Sequence, residues 1–357
     1  MARSWSWNRA SRTGSLPVSS SHDHGKTVML EFPVMSRRSV LQTAVALSLG
    51  GSLLTATAAC TPEEPLQELT VAGGEAGGFY LEFATLLAAL LQRERVAGRA
   101  VALTTGGSLE NIQRVLSGEA TFAVALADAA AQAAAPAGKA AQPESKLVAL
   151  GKVYQNYVHC LVREDSGIRT FTDLAGKAAG VGEVGSGTTL TAGRIIAAAG
   201  LSEPDRAVKQ VNLGLNQALA ALKDGSIDVM IQSGGVPTAP IAAAARDLGV
   251  RLLDLSDLIP ATRAQSGFFY DRVLIPANSY GDAPAVWTVG VANLLLCRSD
   301  LADHVVRQTV ELLVEQAQDL VPKSSTGVQF LSPETLINTA GVPLHPAAEA
   351  AYRALHG

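Results

Sequence analysis

Residues 182–189 read GEVGSGTT. A phosphate-binding loop needs G-x-x-x-x-G-K-[ST], in which the lysine reaches the β- and γ-phosphates and the hydroxyl holds magnesium. Gly182 and Gly187 have that spacing and Thr189 stands at the hydroxyl position, but Thr188 replaces the lysine. Asp228 is the nearest candidate for a second acidic element. Nucleotide hydrolysis is therefore not expected. What remains is a glycine-rich turn from a strand into a helix. The first N–H groups of a helix have no partner inside it, and its positive dipole end suits any anion. Three other turns have this character: Gly78-Phe79-Tyr80, Gly107-Ser108 and Gly235-Val236-Pro237-Thr238. Ser108, Ser186, Thr188 and Thr189 add hydroxyls, and Tyr80 adds an amphipathic wall. Each turn alone can be purely structural; their recurrence is what points to an anion site.

Catalytic patterns are missing. No G-x-S-x-G elbow and no H-E-x-x-H pair occurs. His159 lies in an apolar run and reads as a core histidine. Asp128, Asp173 and Asp228 stand at strand ends or turns, where capping explains them. Cys160 and Cys297 sit in strand-like runs, as buried thiols or as a disulfide with each other, without metal-ligand spacing. The expectation is a binding protein without cofactor or metal, not an enzyme.

Strands alternating with helices must position these turns. LTVAG, AVALTT and FAVAL read as strands, as do KAAGVGE, VKQVNL, DVMIQ and VRLLDL further on. That alternation predicts an α/β fold with parallel sheet. Residues 129–146 are an Ala/Pro-rich connection. The order also repeats. GEAGG at 74–78 lies on GEVGS at 182–186. From Gly77 the next signpost, Gly107, is 30 residues on; from Gly185, Gly214 is 29 on. Each is followed 11 residues later by another glycine, Gly118 or Gly225. Either two similar α/β lobes share the order β-loop-α-β-loop-α-β, or abundant alanine and glycine imitate a repeat.

The N-terminal region reads as an export address. Arg37-Arg38, an apolar stretch over 40–59 and Thr57-Ala58-Ala59-Cys60 resemble a twin-arginine lipoprotein signal, cleaved before a lipidated Cys60. The other reading is an uncleaved membrane anchor. Met35 or Met29 would start the signal, which leaves 1–34 as an extension outside the fold. The chain from Cys60 onward suits two moderate domains. The full sequence is 48% hydrophobic and 17% charged, which indicates a globular protein, and its net charge of −4 argues against a nucleic-acid partner.

Together these segments resemble the TAXI class of solute receptors of TRAP transporters. The resembling blocks are GGFY at 77–80, TTGGSLENIQRVLSGEATFAVALAD at 104–128 and KVYQNYVHCLV at 152–162. They continue with DLAGKAAGVGEVGSGTTLTAGRII at 173–196, ALKDGSIDVMIQSGGVPTAPI at 221–241 and IPANSYGDAPAVWTVGVANLLLC at 275–297. The resemblance implies a type II periplasmic-binding-protein fold, with two α/β lobes closing on a small anionic solute. It implies segments 35–59 as signal, 60–68 as tether, 69–157 as first lobe, 158–290 as second lobe and 291–357 as a return to the first. Crossings are expected near Tyr157–Arg163 and Ala285–Arg298. The solute would be a small carboxylate, a glutamate-like amino acid or a dicarboxylate, handed to TRAP permease subunits in the membrane. Carried over residue by residue, the family pattern gives Gly78, Phe79, Tyr80, Gly107, Ser108, Asn111, Gly185, Ser186, Gly187, Thr188, Thr189, Gly235 and Pro237 as ligand-binding. Asp128 and Tyr154 join them as matches to positions near the cleft. Phe79 and Leu81 stand where the family has a hydroxyl and a second tyrosine, making that wall more apolar if they face it. A sensor for a membrane signalling partner, and an enzyme on the same scaffold, are the competing readings.

Overall fold

The computed structural model describes residues 65–135, 146–323 and 333–356. The export signal, the 1–34 extension and Cys60 lie outside them. The first glycine-marked stretch folds as β1 (Leu66–Ala72), α1 (Phe79–Arg93), β2 (Ala97–Leu103), α2 (Ser108–Ser117) and β3 (Phe122–Leu126). β1 pairs in parallel with both β2 and β3. The second stretch folds as β5 (Ala178–Gly180), α4 (Gly187–Ala198), β6 (Lys209–Val211), α5 (Leu215–Asp224) and β7 (Val229–Gly234). β5 pairs in parallel with both β6 and β7. Both halves therefore share the chain order β-loop-α-β-loop-α-β, and both have the spatial strand order 2-1-3. Gly118 and Gly225 end α2 and α5 in the left-handed conformation, at φ of 83° and 81°. Only glycine adopts that backbone without penalty, which is why both signposts are glycine.

Two long strands join the halves. β4 (Leu147–Arg163) and β10 (Val286–Arg298) are antiparallel partners. Tyr157 is the last β4 residue paired with β10, through Gly290, and the first paired with β7, through Gly234. The expected crossing at Tyr157 thus coincides with a change of partner. The main sheet order is β2-β1-β3-β10-β4-β7-β5-β6. Between β7 and β10 lie α6 (Ala239–Leu248), β8 (Val250–Leu252), α7 (Ile259–Ser266) and β9 (Tyr270–Ile275). α3 (Ala127–Ala134) fills the start of the Ala/Pro-rich connection. The tether region needs one adjustment: Leu66 and Glu68 already pair with Ala97 and Arg99, so the strand begins before residue 69.

Burial follows the pattern of the sequence. All five residues of β3 are buried, as expected for an interior strand, between β1 and β10, that is covered on both faces. α1 buries Phe79, Phe83, Ala84, Leu87, Ala88, Leu90 and Leu91, a helical stripe against the sheet. The C-terminal helices α8 (Asp303–Glu315), α9 (Pro333–Leu336) and α10 (Pro346–His356) bring Val305, Val310, Leu313, Leu336 and Tyr352 into the same core cluster as Leu69, Phe83 and Leu87. Tyr352 seals that return by donating its hydroxyl to the Leu150 carbonyl at 2.8 Å. Cys160 and Cys297 are free and buried, and burial pushes both thiols up. Among the described residues, no helix is long and apolar enough to cross a membrane.

Candidate functional site

Glycine lets the two halves touch. Gly187 opens α4, and a Cβ there would overlap Ser108 Oγ and lie 2.7 Å from Leu126 Cδ1. The Leu109 and Glu110 N–H groups, at the start of α2, donate to the Gly185 carbonyl at 3.0 and 3.3 Å. A reciprocal contact runs the other way. Glu75 accepts from Leu215 N–H, the first residue of α5, at 2.7 Å. The second helix start of each half is therefore satisfied by the other half. Glu183, the repeat counterpart of Glu75, is close enough to act on it. Burial raises the Glu75 carboxyl above its ordinary value; the Leu215 N–H opposes that shift, and Glu183 adds to it.

The first helix starts, those of α1 and α4, border a cavity of about 50 Å³, and Gly107, Ser108 and Leu215 at the other two starts reach its wall as well. At about 10–15 Å³ per water, this is room for a handful of waters or a small solute. Gly78, Phe79, Tyr80, Gly107, Ser108, Ser186, Gly187 and Thr188 line it, as does Thr238. Ser186 caps α4 by accepting from Thr189 N–H at 3.1 Å. The N–H groups of Gly187 and Thr188 have no acceptor inside the helix by its geometry. Tyr80 donates to Asn293 Oδ1 and lies 3.2 Å from Ser108 Oγ, which accepts from Leu126 N–H at 3.1 Å. Among the described lining residues there is no lysine or arginine; the carboxyl group is that of Glu75.

The remaining expected site residues do not line the cavity. Asn111 is fully buried and ties loops together: its amide donates to the Gly73 carbonyl and, at 2.8 Å, to that of Val124. Tyr154 packs edge-on against Phe79, ring centres 5.2 Å apart, inside the core. Thr189 donates to the Glu183 carbonyl at 2.7 Å, so the hydroxyl that suggested magnesium closes its own turn. Gly185 supplies the carbonyl already described. Gly235 lies against Phe79, whose ring would be 2.5 Å from a Cβ there, and Pro237 follows a cis Val236–Pro237 peptide in the same loop. Asp128 is buried beside α4. It accepts from Thr191 Oγ1 at 2.9 Å, Arg194 Nη1 at 3.0 Å, Tyr270 OH at 3.0 Å and Ala129 N–H at 2.8 Å. Burial raises its carboxyl, with Arg194 opposing. Asp173 closes a capping box with Thr170, and Asp228 accepts from Ala178 N–H, so both are structural. Phe79 does face the cavity; Leu81 is not among the lining residues.

Asn156, Gln232 and Ser233 complete the cavity and were not expected from the sequence. They lie on β4 and β7, where Asn156 Nδ2 donates to Ser233 Oγ at 3.1 Å. The signal was an adjacent polar pair, Gln155-Asn156, in the middle of a largely apolar strand. His159, three residues beyond Asn156 on β4, contacts Tyr280 OH through Nε2 at 2.7 Å. Burial pushes its pKa down to about 4. A histidine held neutral in the fold binds its proton only when unfolded, so stability rises with pH between about 4 and 6.5. We expect the wild type to lose about 3 kcal/mol more than His159→Gln on going from pH 7 to pH 4, measured by urea unfolding. Equal losses would show that His159 does not titrate on unfolding.

Comparison with known proteins agrees with this architecture. The family model described as the NMT1-like family matches residues 71–354. MatC from Rhodopseudomonas palustris, solved with bound malate, is 16% identical; the match covers 82% of this chain and 97% of that one, with a TM-score of 0.51. The alkanesulfonate-binding protein SsuA from Xanthomonas axonopodis pv. citri, bound to MOPS, is 18% identical over 81% of this chain and 84% of that one, TM-score 0.43. Rpa4515 from R. palustris with adipate is 16% identical over 81% and 95%, TM-score 0.49. At such identities the likeness to MatC shows the fold alone: a mixed α/β fold of the periplasmic-binding-protein kind.

Proposed function

We propose a function from the premise that the chain belongs to the NMT1-like family: it is an extracytoplasmic solute receptor that captures a small carboxylate by closing its two halves. The observation that carries this reading is the meeting of α1 and α4, the first helix of each repeat, at one cavity bordered by Ser108, Ser186, Thr188 and Ser233 hydroxyls. Helix starts and hydroxyls hold a carboxylate without a lysine or arginine clamp. MatC was solved with malate, a dicarboxylate, which supports the same class here. A ligand touching both halves stabilises the closed arrangement over the open one, so binding and closure are one equilibrium.

The sequence blocks that resemble TAXI receptors support a TRAP-type permease as the recipient. The signal-like N-terminus supports a lipid anchor at Cys60 on the outer face of the cell membrane; metabolic labelling with palmitate, lost in Cys60→Ser, tests it. For binding, we expect the melting temperature to rise with at least one member of a panel of small mono- and dicarboxylates and amino acids. Ligand at 100 times its dissociation constant stabilises by about 2.7 kcal/mol. No shift with any member would overturn the reading.

A further inference from the structure

Asn156 is 1% exposed and lines the cavity, and its Oδ1 has no hydrogen-bond partner among the described residues. Leaving such an acceptor buried and unpaired is costly, because its desolvation is not offset by a hydrogen bond. Its other half is occupied: Nδ2 donates to Ser233 Oγ at 3.1 Å. Ser233 N–H in turn donates to Thr188 Oγ1 at 3.2 Å. Two hydrogen bonds thus lead from Thr188, at the start of α4, through Ser233 to Asn156. The unpaired acceptor lies within one small molecule's reach of the helix start that suits an anion. The remaining charge in the wall has the same preference. Glu75 is a carboxyl group, and no lysine or arginine stands against it among the described lining residues.

We propose that the solute carries a hydrogen-bond donor close to its carboxylate, an ammonium or hydroxyl group, and that Asn156 Oδ1 accepts from it. This rests on the solute-receptor reading and sharpens it: the ligand is a small amino or hydroxy acid, not a plain carboxylate. The carboxylate faces the Gly187 and Thr188 N–H groups, and the donor faces Asn156. A plain carboxylate offers Oδ1 no donor, and a site built for a donor discriminates strongly against the analogue that lacks one. With Glu75 in the wall, an ammonium group is preferred to a hydroxyl.

The test is calorimetric titration of the whole mature protein with two matched series, aspartate, malate and succinate, and alanine, lactate and propionate. In whichever series binds, the donor-bearing members are expected to bind at least about tenfold more tightly than the plain acid, a difference of about 1.4 kcal/mol. In Asn156→Leu, and in the smaller Asn156→Ser should the leucine variant fail to fold, that gap shrinks. Succinate or propionate binding as tightly as its amino and hydroxy counterparts overturns this inference and leaves the receptor reading standing. Failure of both series and of every other carboxylate overturns both. A gap that survives unchanged in a folded Asn156 variant removes Asn156 as its cause and overturns the assignment.

Discussion

Replacing Gly187 by alanine is expected to weaken solute binding about 10- to 100-fold while leaving the unliganded protein folded. The added methyl would overlap Ser108 Oγ and approach Leu126 Cδ1 to 2.7 Å. Ser108 cannot easily yield, because its Oγ holds the Leu126 N–H and meets Tyr80. Overpacking of this kind costs about 1–3 kcal/mol, and here the strain arises only where the two halves meet. An open form escapes it, so the cost is taken from binding. Gly193→Ala is the control on the same helix. A Cβ at that position meets only Gln210 Oε1, at 4.0 Å. It should bind normally and gain about 0.5–1 kcal/mol of stability from the helix interior. Calorimetry on the pair decides the matter. Equal affinities would mean that the halves do not close through the α2–α4 contact.

Removal of the Asp128 carboxylate should give the largest loss of stability. Four donors converge on it, from α3, α4 and β9. Its side chain is fully buried, whereas that of Arg194 is 20% exposed. Stripping one partner from a buried pair typically costs 3–5 kcal/mol, because the other charge is left uncompensated. Partial hydration of Arg194 puts Asp128→Ala at the lower end, about 3 kcal/mol. Asp128→Asn keeps the shape and part of the hydrogen bonding and should lose less. Urea unfolding followed by circular dichroism gives both values; a loss under about 1 kcal/mol for alanine would show that the cluster does not hold α4. Because α4 carries Gly187 and Thr188 into the cavity, Asp128 is a positioning residue that does not itself line the cavity.

The architecture was legible because glycine marks backbone, and backbone makes the repeat. Gly107 and Gly118 bracket α2, Gly214 and Gly225 bracket α5, and each pair sits where a helix begins or ends. The helix starts at Phe79, Ser108, Gly187 and Ala239 were legible for the same reason. Which of those starts faces a ligand was not. That depends on contact between the halves, where Gly185 and Glu75 take up N–H groups at the starts of α2 and α5, while Gly187 and Thr188 at the start of α4 border the cavity. Motif position also did not separate Tyr80, at the cavity, from Tyr154, in the core. Asn111 occupies a loop residue's place in the motif but is consumed by the Gly73 and Val124 carbonyls. Asn156 and Ser233 were hidden for the opposite reason. A strand's alternation indicates that a side chain is buried, and only the paired sheet reveals that two polar ones meet beside a helix start.

Two repeated α/β halves are expected to close on one small carboxylate. Mass spectrometry of small molecules released by denaturing the freshly purified mature protein tests it most directly. The expected result is one small carboxylate, near one per chain and absent from Gly187→Ala prepared in parallel. Release of a neutral sugar or a cation at that stoichiometry would contradict the claim.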